Sequence, residues 1–153
     1  MMKKTTQLGF AGILPLVVGK GLSLVITLLP ITGWMLLPVN AVLFFLWFRL
    51  AYRLFDEHKN LFIQSFLMCA FGLLMLLLLL FQEFVAGHWR LNILSTSCQL
   101  YFLPGLSLMS FVLSPFLFGA KEAVRFWPLF LCEWIILFIL CLIGGFMKRR
   151  DRF

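Results

Sequence analysis

Long apolar runs separated by short polar segments dominate the pattern of this chain. A helix that crosses the hydrocarbon core of a bilayer needs about 20 mostly apolar residues. Three runs clearly reach that length, namely Leu61–Phe81, Gln99–Ala120 and Phe126–Met147. The polar segments beside them, Asp56–Asn60 and Gly87–Ser97, are short connections. The pattern therefore predicts an all-α polytopic membrane protein with short loops.

The N-terminal third fits two arrangements. One is a single long helix over about residues 21–48, which exceeds the length that a span needs. The other is a helical hairpin, with helices over about 8–29 and 35–55 and a turn at Pro30–Trp34. We favour the hairpin, because two prolines and a glycine within nine residues are strong helix breakers. Lys20 then lies mid-helix at a cost of about 3 kcal/mol, which its apolar neighbours outweigh.

The sequence predicts four to five transmembrane helices in a single domain. Their approximate ranges are 8–29, 35–55, 60–84, 99–119 and 126–147. The number stays open because the N-terminal third forms either one long helix or a hairpin, and because the range 99–119 contains two prolines and two glycines. A full span kinked at the prolines is the ordinary interpretation. The alternative is a re-entrant segment, which is tolerated only where it is buried in protein or lines a wet cavity.

Lys and Arg residues near the ends of spans collect on the cytoplasmic side, so their distribution indicates orientation. The single long helix gives four spans, with eight such residues inside and five outside. The hairpin followed by three full spans gives seven inside and five outside. The hairpin with a re-entrant fourth segment gives nine to three. Its inside residues are Lys3, Lys4, Arg49, Arg53, Lys59, Lys148, Arg149, Arg150 and Arg152, and its outside residues are Arg90, Lys121 and Arg125. Two of the three arrangements place the basic C-terminal tail inside.

Composition supports a membrane protein. Hydrophobic residues make up 63% of the 153 residues, charged residues only 12%, and the mean hydropathy is +1.04. A soluble domain is usually about 45–50% apolar and about a quarter charged, so the soluble and disordered classes are excluded. The net charge of +7 comes from clusters beside apolar runs. We therefore expect contacts with anionic lipid headgroups and no nucleic acid partner.

Polar residues within the spans are the candidates for an intramembrane site. Glu133 is the most informative, because a carboxylate inside the membrane is expensive and usually faces protein or water. Lys20 is its candidate partner if the hairpin forms. Gln82 and Glu83 close the predicted third helix, 60–84, and complete the candidate site. This site either handles protons or cations or, as we favour, joins helices.

The candidate contacts with lipids or partners are basic residues at predicted helix ends, namely Arg49, Arg53, Lys148, Arg149 and Arg150. Arginines at a helix end also simply extend to water, so these residues are not specific for one partner. The four cysteines contain no C-x-x-C pair, and three of them lie in apolar runs. We expect them to behave as small hydrophobic residues.

No catalytic, metal-binding or cofactor-binding motif occurs in the sequence. We therefore expect no catalytic residue, metal or cofactor. The leading hypothesis is a non-catalytic multi-pass protein of a bacterial inner membrane, an accessory, scaffold or immunity-type subunit that binds a membrane protein or itself through helix–helix contacts. A small oligomeric transporter or channel that uses Glu133 and Lys20 is the alternative, and a membrane enzyme is third.

Overall fold

The computed structural model describes residues 4–29, 33–56, 58–86, 93–117 and 127–151. The predicted turn residues 30–32 and the cations Lys3, Arg90, Lys121, Arg125 and Arg152 lie outside these ranges. The described residues form six helices: α1 (Lys4–Ala11), α2 (Leu14–Leu28), α3 (Gly33–Leu54), α4 (Leu61–Phe81), α5 (Ile93–Leu117) and α6 (Trp127–Arg150). A π-helical turn, Gln82–Ala86, extends α4.

Five helical segments of the described chain are long and apolar enough to cross a membrane. They are Thr6–Leu28, which joins α1 and α2, Trp34–Leu54, Leu61–Val85, Thr96–Leu113 and Trp127–Arg150. This confirms the predicted all-α polytopic fold with four to five membrane-length helices. Two local features modify the predicted elements. A short turn at Gly12-Ile13 divides the first helix, and α5 begins at Ile93 instead of near residue 99.

The helix ends follow local sequence signals. Pro15 occupies the first turn of α2, where its missing N–H would have no helical partner anyway. Asn60 caps α4, since its side-chain oxygen accepts a hydrogen bond of 2.9 Å from the N–H of Phe62. Gln64 holds the preceding loop by accepting from the N–H of Asp56 at 2.6 Å and donating to the Asp56 carbonyl at 2.7 Å. The connection between α3 and α4 is therefore short and well bonded.

One end of the bundle gathers the end of α3, the start of α4 and the end of α6, and we call it the basic end. There the ammonium group of Lys148 donates to the carbonyls of Arg53 at 3.0 Å and Phe55 at 2.6 Å. The hydroxyl of Tyr52 donates to Asp151 at 2.8 Å. Since α6 ends where α4 begins, α6 runs antiparallel to α4 and parallel to α3.

The start of the chain reaches the same end. Leu8 lines a cavity together with the loop before α4, and the backbone of Gly12 packs on the carbonyl of Met68. At the far end of the bundle, the ring of Phe84 lies 6.2 Å from that of Trp127, the first residue of α6. The segments α1–α2, α3, α4 and α6 therefore run the length of the bundle.

Helix α5 packs against α2, α3, α4 and α6. Near its start, Thr96 shares a groove with Ser23 of α2, and near its end Phe111 packs on Trp34 at 5.2 Å. Between these two points it contacts Gly19 of α2, Asn40 of α3, Gly72 and Met75 of α4, and Phe130 and Glu133 of α6, among others. Helix α5 is continuous through Pro104, and its Thr96–Leu113 segment is long and apolar enough to cross a membrane.

Candidate functional site

Glu133 lies inside the bundle, with only 1% of its surface exposed. It is six residues into α6, about 9 Å from the far end of the bundle. Its carboxyl group lies directly over Gly105 of α5, where the backbone N–H acts as a donor toward it. A β-carbon at Gly105 would come within 2.5 Å of the carboxyl carbon, so any larger residue here would force the Glu133 side chain to move.

The adjacent proline explains how α2 and α5 approach so closely. Pro104 has no N–H, so the carbonyl of Leu100, four residues earlier, lacks its helical donor. That carbonyl lies against Gly19 of α2, where an added β-carbon would clash severely with it. Glycine at position 19 and proline at position 104 therefore form one close helix contact. It places the Pro104-Gly105 pair beside Glu133.

Asn40 of α3 forms hydrogen bonds with α5 next to Pro104. Its side-chain amide is hydrogen-bonded to the hydroxyl of Ser107. In the amide orientation that gives hydrogen-bond partners to both the nitrogen and the oxygen, the nitrogen donates to the Pro104 carbonyl. The oxygen then accepts from the N–H of Leu108 at 3.3 Å. Asn40 is completely buried, so these bonds offset the cost of burying its amide.

A cavity of about 40 Å³ adjoins the Glu133 carboxyl. Apolar side chains from four helices line most of it, and among the described residues Oε2 of Glu133 has no hydrogen-bond partner. A cavity of this volume has room for about one water molecule. The geometry can hold a polar carboxyl group within the helices. It has no room for a larger ligand.

Lys20 is not brought to Glu133. Its side chain is exposed on the outside of α2, whereas Glu133 points inward from α6. No carboxylate within the described ranges pairs with Lys20. Two polar neighbours share its flank of α2 at helical spacing, the half-buried Ser23 and the exposed Thr27. The Thr27 hydroxyl donates to the Ser23 carbonyl at 2.8 Å.

Gln82 and Glu83 lie in the π-helical turn that extends α4, at the far end of the bundle. Gln82 is largely buried and Glu83 is half-buried. They lie at the level of the first turn of α6, because their neighbour Phe84 packs on Trp127. Glu133 is about 9 Å deeper along α6. The structure therefore does not gather the four predicted polar residues into one site.

The predicted basic contacts all lie at the basic end. Arg49, Arg53 and Arg150 are exposed, so they can reach headgroups or a partner. Lys148 and Arg149 are half-buried and donate to backbone carbonyls, Arg149 to that of Lys59. These two cations stabilise the joint between α3 and α4, where helix ends leave carbonyls without helical donors.

Sequence reasoning missed one cluster, a group of sulfur atoms between α4 and α6. The thiol sulfurs of Cys69 and Cys141 are 3.8 Å apart, and the sulfur of Met68 is 3.6 Å from that of Cys141. The two cysteines are 72 residues apart in the chain, so their spacing carries no signal. Only the antiparallel register of α4 and α6 could have revealed the pair.

The chain was also compared with known proteins. No protein-family model matches it, and neither any curated protein nor any solved structure does, so its own contacts are the basis for functional inference.

Proposed function

We propose that this protein is a non-catalytic, multi-pass accessory or scaffold subunit that binds a membrane partner through the outer face of α2. An immunity-type protein falls within the same class. The single observation that carries the proposal is the exposed side chain of Lys20 in the middle of a membrane-length helix.

The depth of Lys20 makes lipid exposure costly. It lies 14 residues after Thr6 and eight before Leu28 in that span, or about 21 and 12 Å from the two ends. A lysine stem extends roughly 6 Å, so the ammonium group falls short of both ends. A lysine at a helix centre costs about 2.5–3.5 kcal/mol on insertion scales. A partner group that pairs with the ammonium would recover much of this cost.

The surroundings of Lys20 indicate what the partner presents. The polar flank of α2, which comprises Lys20, Ser23 and Thr27, borders the groove between α2 and α5. This groove has a volume of about 420 Å³, and Thr96 and Gln99 of α5 contribute its other polar groups. Hydroxyl and amide groups in membranes commonly hydrogen-bond across helices. A transmembrane helix with a carboxylate at the same depth fits both the charge and these groups.

A second copy of the chain fits this face less well. A symmetric contact through α2 would bring Lys20 close to its own counterpart, and like charges in a low dielectric repel. Glu133, the carboxylate at comparable depth, is buried inside the bundle. We therefore propose a different membrane protein as partner for this face.

The transporter alternative has one observation in its favour, the buried Glu133 beside the Pro104-Gly105 pair of α5. Three features weigh against it. Lys20 and Glu133 face different environments, Gln82 and Glu83 lie at another level, and the cavity at Glu133 holds about 40 Å³. A transport path requires polar groups that converge, so we place this function second.

The test is co-purification in mild detergent, followed by site-specific cross-linking from position 24 on the same face. Lys20→Leu should reduce recovery of the partner at least tenfold, because it removes the charge but keeps an apolar helix. Lys20→Arg should retain the partner. Val17→Leu, on the neighbouring exposed turn, is the matched control and should behave as wild type.

The partner must then show the complementary charge. Neutralising an Asp or Glu in its transmembrane helix should have the same effect as Lys20→Leu, and exchange of the two charges between the proteins should restore binding. If the Leu variant recovers the partner as well as wild type does, or if the cross-links go only to lipid, the proposed face is wrong.

A further inference from the structure

The sulfur cluster between α4 and α6 is a second feature, independent of the α2 face. Met68 and Cys69 are consecutive residues of α4, and Cys141 faces them from α6. All three side chains are at most 1% exposed, and both cysteines are free thiols. The sulfur of Cys141 therefore lies next to two sulfurs of α4 in a buried part of the bundle.

The distances from the Cys141 sulfur to the other two sulfurs match those between ligands of one metal ion. Metal–thiolate bonds are about 2.3 Å long, so two sulfurs that share a metal at an angle near 110° are about 3.8 Å apart. The observed separations are 3.8 Å for Cys69–Cys141 and 3.6 Å for Cys141–Met68. An ion could thus bind between the sulfurs with little movement of the helices.

The ligand set selects the kind of ion. Thiolate and thioether sulfurs favour soft ions such as Cu(I), whereas Mg²⁺ and Ca²⁺ need oxygen ligands. Structural zinc sites are almost always four-coordinate. Within the described ranges, no group of three His, Cys, Asp or Glu side chains is placed to hold a metal, so no fourth ligand of the usual kind is supplied. Three sulfurs suit a low-coordinate monovalent ion.

Two polar groups near the cluster can stabilise thiolates. The indole of Trp47 on α3 is oriented toward Cys141 as a donor, yet its Nε1 makes no full hydrogen bond to a described residue. The hydroxyl of Tyr101 on α5 lies within electrostatic range of both cysteines and is likewise unpartnered among described residues. Both side chains are at most 4% exposed. Donors of this kind are the usual outer support of metal-bound sulfur.

We propose that Cys69, Cys141 and Met68 form a binding site for one Cu(I) ion. On binding, the two thiols release their protons to solvent and the thiolates and the thioether bind the metal, with no change of oxidation state. The nearest access is from the basic end, since Cys141 is seven residues, about 10 Å along α6, from Lys148. A cavity of about 340 Å³ at that end extends to Leu67, the neighbour of Met68.

The test is an anaerobic titration of the purified, reduced protein in detergent with Cu(I), against a chromogenic Cu(I) chelator. We expect one ion per chain. Cys69→Ser and Cys141→Ser should each weaken binding at least a hundredfold, and Met68→Leu, which preserves volume, about tenfold. X-ray absorption of the loaded protein should show a shell of sulfur only.

The chain contains its own controls. Cys98 is buried with a single thioether, that of Met75 at 3.7 Å, and Cys132 is only half-buried, so Cys98→Ser and Cys132→Ser should bind Cu(I) as wild type does. Met68→Leu should keep the helical circular dichroism and the melting temperature of wild type. Weaker Cu(I) binding by this variant would therefore not be caused by misfolding. Absence of binding by wild type, equal losses in the control variants, or a nitrogen or oxygen shell would overturn the site.

Discussion

Single glycines in this bundle differ sharply in what surrounds them. Gly19 and Gly21 are two residues apart on α2, but Gly19 is buried against the Leu100 carbonyl, whereas nothing lies within 4 Å of the position of a β-carbon at Gly21. The sequence shows both as glycines beside Lys20 and cannot rank them. The distinction depends on the rotation of α2 against α5, which long-range packing determines.

Gly19→Ala and Gly21→Ala therefore make a matched pair. We expect Gly19→Ala to destabilise the protein by more than about 2 kcal/mol, since the new methyl group overlaps a backbone atom that cannot rotate away. Gly21→Ala should be neutral or stabilising by up to about 1 kcal/mol, because alanine favours the helix. Unfolding by denaturant titration in micelles measures both. Equal destabilisation by the two changes would contradict the described α2–α5 contact.

Glu133 is the residue that sequence reasoning identified best. Its depth in an apolar helix predicts burial against protein, and it is buried over Gly105. The prediction of Lys20 as its partner depended on the hairpin alone, and the structure places Lys20 outside the bundle. A sequence gives the depth of a residue in a helix more readily than the direction in which it points.

For Glu133→Gln we expect assembly and any partner binding to be retained. The amide occupies nearly the same volume, and its oxygen can accept from the Gly105 N–H, a bond worth about 1 kcal/mol between helices in a membrane. Size-exclusion chromatography and the co-purification assay test this. If the variant assembles normally but loses function, and the activity of wild type depends on pH, proton or cation handling by Glu133 replaces the joining role.

At the level of elements, the apolar runs predict the helices well because a bilayer requires continuous helices of fixed length. The fourth helix, predicted over about 99–119 as a kinked span or as a re-entrant segment, is α5. Its prolines and glycines suggest an interrupted segment, yet the helix runs unbroken from Ile93 to Leu117. Hydrogen bonds from Asn40 on α3 help to satisfy the backbone around Pro104. A sequence read one segment at a time cannot show such help from another helix.

At the level of the whole molecule, the contacts place the start of α1, the loop before α4 and the end of α6 at the basic end. Thr96 and Phe111, near the two ends of α5, contact α2 and α3 toward the far end. Of the arrangements considered from the sequence, the one with a re-entrant fourth segment places nine cations on one side and three on the other. Because Lys and Arg residues near the ends of spans collect on the cytoplasmic side, we expect the basic end to face the cytoplasm.

Labelling of introduced cysteines tests this orientation in a background without the native ones. Cysteines at Gly87 and Ala123, which flank α5, should both react with an impermeant thiol reagent from outside, while Asn60→Cys should be protected until the membrane is opened. A reporter fused after Phe153 should be active in the cytoplasm. Labelling of the two flanking positions from opposite sides would make α5 a full span and export the basic tail.

The contact between Lys148 and the α3–α4 joint also bears on how the chain is made. Helices α3 and α4 leave the ribosome before α6. The carbonyls of Arg53 and Phe55 therefore lack the Lys148 ammonium donor until α6 has been translated. Gly105 has by then already entered with α5, so a place for the Glu133 carboxyl exists when α6 arrives. Because α5 is synthesised before α6, the Glu133 carboxyl can insert against protein instead of lipid. We expect insertion machinery to shield α3 and α4 from lipid until α6 has been translated.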